Sequence, residues 1–395
     1  KAIQKLVDKL NLVSRENLSG MMVIRAFVTQ EHEKKRFEAA NADLTKTNLF
    51  INRVMVFMMP IMMLIMNGVT LLVIWVGAHQ IANAAMQVGD MMAFMQYAMQ
   101  IIMAFLMISM MFILVPRAAV SAGRIAEVLE TELTIIDPKD PKHFIAAKKG
   151  LVEFRNVHFR YRGAEEDALS EITFTAKPGQ TTAIIGSTGS GKSTIASLAL
   201  RFYDVSEGRI LVDGVDVRDV KQQDLRSKIG YIPQKGVLLS GTIASNVRYG
   251  KKDASDDEVE VAVRVAQAME FVSEKPEGLN SAIAQGGTNV SGGQKQRLSI
   301  ARALTKQPEI FIFDDSFSAL DFRTDVALRK ALKEHTGDST IIVVAQRVST
   351  IMNAEQIIVL DEGRIVGSGT HKELLKNCTP YYEIASSQLS QEELG

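Results

Sequence analysis

The chain has 395 residues, more than a single ordinary hydrophobic core serves, so two domains are expected. Its 45 basic and 45 acidic residues balance, so net charge singles out neither nucleic acid nor an anionic partner. One cysteine, Cys378, excludes an internal disulfide framework and fits a reducing compartment for the bulk of the chain.

In chain order, residues 1–53 read as a charged helical segment interrupted at "ENLSGMMVIRAF". Apolar residues resume after Ser19 and Gly20, which predicts a helix break and a short new helix. No cleavable signal peptide is predicted, and the chain opens on Lys1 rather than methionine, as a fragment of a longer protein would. Residues 54–89 and 91–116 contain no Asp, Glu, Lys or Arg. Spans over about 54–78 and 91–115 would each run about 37 Å as helices, enough to cross a hydrocarbon core of about 30 Å. A pair of buried helices in a large soluble protein is the alternative, but two uncharged runs this long rarely occur in water-soluble folds.

The connection between the spans has no Lys or Arg, whereas Lys46, Arg53, Arg117 and Arg124 flank the far ends. The positive-inside rule puts that connection outside and both distal ends in the cytoplasm. Asp90 is a candidate N-cap for the second span. Fifteen of the nineteen methionines lie in this section. Met55, Met59, Met62, Met63 and Met66 follow helical spacing, as do Met91, Met95, Met99, Met103 and Met107. The stripe is either ordinary packing or a flexible, polarizable surface for varied cargo, with Gln96 and Gln100 as polar anchors. Helical spacing continues through "RAAVSAGRIAEVLE" to a proline-punctuated linker, "DPKDPK"; from residue 151 short apolar runs, glycine turns and amphipathic helices predict an α/β domain.

"GSTGSGKST" comprises Gly186, Ser187, Thr188, Gly189, Ser190, Gly191, Lys192, Ser193 and Thr194. It follows the apolar run "TTAIIG" and precedes the helical "IASLALRF", the strand–loop–helix setting of a P-loop. Backbone N–H groups there close around phosphate oxygens, Lys192 is expected at the β/γ-phosphates, and Ser193 on Mg²⁺. In "IFIFDDSFSALD" a buried strand delivers Asp314 and Asp315; Asp314 is the expected Mg²⁺ carboxylate, directly or through water.

"NVSGGQKQRLSIARAL", with the P-loop and "SALD", resembles the ATP-binding cassette (ABC) proteins. The resemblance implies a nucleotide-binding domain over 151–389, with a helical signature subdomain. Two such domains would pack head-to-tail, so that Ser291, Gly292 and Gly293 meet the γ-phosphate bound by the partner and Asp321 couples the two sites. Tyr161 matches the adenine-stacking aromatic, and Gln234 the glutamine that senses Mg²⁺. "LSGMMVIRAF" resembles the coupling helix of exporters, and the fused order resembles an exporter half. The implied organisation is a transmembrane part over 1–130 (cytoplasmic loop 1–53), a linker over 131–150, and about four further membrane helices before Lys1. The implied place is the plasma membrane, multi-pass, with the nucleotide domain cytoplasmic.

Three positions depart from the family pattern. Asp315 stands where the family has a glutamate that polarises the attacking water, Gln346 where it has a switch histidine, and Gln285 where exporters often have a glutamate facing the coupling loop. An intact signature beside an altered base resembles one subunit of heterodimeric bacterial multidrug exporters. Its partner half would supply the intact glutamate and histidine. The expected ligands are ATP and Mg²⁺, the expected cargo a small amphiphile such as a drug or lipid, and no nucleic-acid partner is expected. A slow homodimeric exporter and a nucleotide-gated regulator or channel are the alternatives.

Overall fold

The computed structural model describes residues 2–390. The chain divides into two units, Lys1–Glu132 and Leu133–Gly395.

The first unit is helical: α1 (Ala2–Ser19), α2 (Met21–Ala26), α3 (Gln30–Ala82) and α4 (Val88–Leu129). From Gln30 on, the charged segment and the first apolar run form one helix of 53 residues, which continues through Pro60. A proline there removes one backbone bond without ending the helix, because the flanking turns keep theirs. Arg36 on α3 pairs with Glu16 on α1 at 2.5 Å and with Glu33 at 3.4 Å. α3 and α4 are each long and apolar enough to cross a membrane. Asp90 is not the N-cap: α4 starts two residues before it, and its carboxylate instead accepts the N–H of Gln87, the capping residue, at 3.1 Å. The methionine stripe is divided. Met62, Met66, Met91 and Met95 are half-buried, whereas Met59, Met63, Met99, Met103 and Met107 are exposed.

The second unit is α/β. Its elements are β1 (Val152–Phe159), β2 (Leu169–Ala176), β3 (Thr181–Gly186), α5 (Lys192–Ala199), β4 (Glu207–Val212), β5 (Val215–Asp216), α6 (Gln222–Lys228) and β6 (Ile229–Ile232). A mainly helical stretch follows: β7 (Gly241–Thr242), α7 (Ile243–Arg248), α8 (Asp256–Val265), α9 (Met269–Ser273), β8 (Ala282–Ile283) and α10 (Gly292–Thr305). Then come β9 (Ile310–Asp314), α11 (Phe322–His335), β10 (Thr340–Val344), α12 (Val348–Ile351), β11 (Gln356–Asp361), β12 (Arg364–Gly369), α13 (His371–Asn377) and α14 (Thr379–Ser386).

The six-stranded sheet has the order β12-β11-β3-β10-β9-β6, parallel except for the edge strand β12. Its strands are near-continuous apolar runs because both faces are covered. Alternation assigns each face. Ile310, Ile312, Ile342, Val344 and Ile358 pack with the antiparallel sheet β2-β1-β4-β5 and α5. Phe311, Phe313, Val343, Ile357 and Val359 pack with α7, α8 and α10 on the other side. The stretch expected to be a linker lies along this unit: Asp137 accepts from the backbone and side-chain N–H groups of Gln222, and Lys142 pairs with Asp219 at 2.7 Å.

Candidate nucleotide site

Register brings the site together. Val344 on β10 pairs with Asp314 on β9 and with Ile184 on β3, and Ile232 on β6 pairs with Phe313. The P-loop, Asp314, Asp315, Gln346 and Gln234 therefore leave the sheet at one edge, the carboxyl ends of the parallel strands. That is where open α/β sheets bind ligands.

Gly191, at φ +94°, is the N-cap of α5, and a Cβ there would lie 2.5 Å from Leu169. A Cβ on Gly186 would lie 2.0 Å from the carbonyl oxygen of Leu360, so the loop can follow this path only with glycine. Lys192 Nζ donates to the carbonyls of Gly186 at 2.9 Å and Ser187 at 2.5 Å. Burial pushes its pKa down, against the opposing pull of Asp315 and Asp314. Thr194 Oγ1 lies 3.0 Å from the hydroxyl of Tyr161. Tyr161 meets Tyr203 and Phe159 edge-on, with ring centroids 5.4 and 4.8 Å away. Tyr203 went unremarked in the sequence; its only signal is an aromatic in "LRFYD".

Ser193 Oγ donates to Asp314 Oδ1 at 2.8 Å, and Tyr231 donates its hydroxyl to Asp314 Oδ2 at 3.3 Å. Burial, then Asp314, pushes the Tyr231 hydroxyl up to about 12, so it remains a donor. A hydroxyl and one carboxylate converging on one point fit Mg²⁺, a hard ion that takes its other ligands from phosphates and water. Among the described residues no group of three or more His, Cys, Asp or Glu could hold a metal. Ser193 and Asp314 would hold it.

Asp315 is built differently. It is 7 % exposed and sits at φ +47°, left-handed backbone for a residue with a side chain. Such a conformation costs on the order of 1–3 kcal/mol and persists only when neighbours enforce it. Here its N–H bonds to Val344 O at 2.9 Å, and Ser318 donates to its carbonyl at 2.8 Å. Its Oδ2 accepts two amides, Gln346 Nε2 at 2.8 Å and Gln234 Nε2 at 3.0 Å. Burial raises its pKa; the Gln234 bond and Lys192 oppose this, and Asp314 adds to it.

The signature residues stand apart from these contacts. Ser291 caps α10: its Oγ accepts the N–H of Gln294 at 3.3 Å, while Gln294 Oε1 accepts the N–H of Ser291 at 3.0 Å. Ser291 and Gly292 are exposed at a helix start, where unpaired N–H groups favour anions. Asp321 caps α11 by accepting the N–H of Thr324 at 2.9 Å, a bond that holds its carboxyl below the usual range. Gln296 Nε2 donates to Pro233 O at 3.0 Å, tying the signature helix to the segment carrying Gln234. A cavity of about 810 Å³ beside α11 and residues 349–355 contains no P-loop residue and is not this site.

The ABC transporter transmembrane region model matches residues 1–105, and the ABC transporter model matches residues 169–318. A Mycobacterium tuberculosis protein named "Uncharacterized ABC transporter ATP-binding protein" is 45 % identical over 100 % of this chain and 68 % of its own length. A Bacillus subtilis protein named "Probable multidrug resistance ABC transporter ATP-binding/permease protein" is 36 % identical over 96 % of this chain and 65 % of its own. The structure of a bacterial Atm1-family ABC exporter with ATP bound superposes with a TM-score of 0.83 at 30 % identity, covering 98 % of this chain and 70 % of that one. The chain belongs to the ABC transporters, as an exporter whose transmembrane region and ATP-binding domain share one polypeptide and which moves substrates across a membrane.

Proposed function

We propose that this chain is one half of a two-chain exporter, that its own P-loop site retains ATP with little turnover, and that its signature completes a hydrolytic site on a different partner half. The observation that carries this is Asp315. An aspartate withdraws the carboxylate by about 1.5 Å relative to glutamate, the length of one C–C bond. Misplacement of that order costs about 10²-fold in rate. Two amide donors also engage Asp315 Oδ2, so a water that used this oxygen would have to displace one of them. Gln346 can donate to phosphate oxygens but cannot become cationic at neutral pH.

Binding keeps its parts: Lys192, Ser193, Thr194, Asp314 and Tyr161 hold nucleotide and Mg²⁺ in this reading, with Gln234 sensing the metal. Bound Mg²⁺ would neutralise charge between the β- and γ-phosphates. Ser291, Gly292 and Gly293 donate to the partner's γ-phosphate, and Asp321 couples the sites. Residues 1–130 belong to the transmembrane part, 131–150 link it, and 151–389 bind nucleotide at the cytoplasmic face of a multi-pass plasma-membrane protein. The cargo is a small amphiphile, which the exposed methionines and the multidrug name of the Bacillus relative both favour.

The test is ATP turnover by the full-length chain alone and with a candidate partner half. Low activity alone and high activity together, dependent on Ser291, supports the two-chain reading. Robust turnover alone would establish a homodimer in which Asp315 is a serviceable base.

A further inference from the structure

The segment that carries Gln346 is tied to the end of the described chain. Val348 opens α12, a helix of only four residues, and Arg347 before it makes no side-chain cap. So short a helix cannot nucleate itself, and its first N–H groups need partners from outside. Gln388, just beyond α14, supplies one. Its Oε1 accepts the N–H of Val348 at 2.8 Å, and its Nε2 donates to the carbonyl of Gln346 at 2.9 Å.

One amide therefore brackets Arg347, fixing the backbone on both sides. Gln388 is itself anchored: its N–H bonds to Ala385 O at 3.0 Å, and Leu389 beside it packs on the buried core that includes Tyr381 and Ala385. The path from α14 to Asp315 is then short. It runs from Gln388 to the Gln346 backbone, and from the Gln346 amide to Asp315 Oδ2. In that last bond Gln346 donates through Nε2, so its NH₂ group, the donor a phosphate oxygen needs, faces Asp315 in the site.

We propose that Gln388 is a positioning residue for nucleotide recognition: it fixes the backbone from which the Gln346 amide reaches the site, and so helps this chain's site distinguish ATP from ADP. The proposal rests on the reading of Gln346 as a γ-phosphate ligand. Gln388 is exposed, so water competes for both of its bonds and the effect is several-fold rather than larger.

The experiment is equilibrium binding of Mg-ATP and Mg-ADP to the full-length transporter, with this chain's site identified as the one lost in Lys192→Ala. Gln388→Ala is expected to weaken ATP binding about fivefold and leave ADP binding unchanged, ADP serving as the control for folding. Gln388→Glu keeps the acceptor for Val348 but sets a second acceptor against the Gln346 carbonyl, so it should be no better than alanine. Gln346→Ala should show the same ATP-selective loss, and Gln346→Ala/Gln388→Ala no further loss, as residues acting through one another are non-additive. Equal losses of ATP and ADP, or additive losses in the double variant, would overturn the proposal and leave Gln388 a cap alone. If Gln346→Ala leaves the ATP/ADP ratio intact, the γ-phosphate reading fails first and takes the proposal with it.

Discussion

The two sides of the nucleotide site differ in kind. On the P-loop side, Lys192 is held by the loop carbonyls of Gly186 and Ser187, and Ser193 by Asp314. On the other side, Asp315 is buried on left-handed backbone with one oxygen shared by Gln234 and Gln346. In the proposed function the carboxylate that would hold Mg²⁺ and the one at the water-activating position are consecutive residues at the end of β9, yet can vary separately. A chain can keep affinity while its chemistry moves elsewhere.

The largest expected effect removes this contrast. Asp315→Glu/Gln346→His should raise turnover at this chain's own site by about 10²–10³-fold, read as ATPase activity of the two-chain transporter with the partner's own P-loop site disabled. No increase would mean that the aspartate is not the limiting feature. Next, Lys192→Ala should weaken ATP binding about a hundredfold by calorimetry, since it deletes charge-assisted bonds worth about 1.5–3 kcal/mol each. A smaller loss would shift the affinity towards Tyr161 and the backbone.

Ser291→Ala should lower turnover of the two-chain transporter about tenfold while leaving nucleotide binding at this chain's own P-loop unchanged. The removed hydroxyl also caps α10, so Ser291→Asp, which restores a cap but not a neutral donor, separates the two roles. Loss of binding at this chain's own site would break the head-to-tail assignment.

The smallest effect concerns pH. Burial raises the folded-state pKa of Asp315 above its unfolded value, so the protonated form is favoured on folding. Its contribution to stability is therefore present below the unfolded pKa and is lost as pH rises through the raised folded value. Asp315→Asn should accordingly raise the unfolding midpoint by about 2 °C at pH 7.5, with the gain shrinking towards pH 4. A gain that does not change with pH would assign the effect to backbone strain rather than ionisation.

What the sequence determined by itself was local. The P-loop is nine consecutive residues between a strand and a helix, and Asp314 ends an unbroken apolar run, so their neighbours in sequence suffice to identify them. The family followed from such contiguous motifs, and the substitutions at positions 315 and 346 could be read against its pattern. Tertiary structure decided whatever depends on partners far apart in the chain. That one carboxylate oxygen of Asp315 meets amides 81 and 31 residues away, that Tyr231 closes on Asp314 across 83, and that Gln388 clasps Val348 across 40 are consequences of strand register and helix packing. Asp90 failed as a cap for a related reason: a helix start is set by which N–H groups find acceptors, and Gln87 already provides that start. Hydrogen bonds are short-ranged and directional, so linear spacing carries no record of a pairing until the fold has brought its partners together.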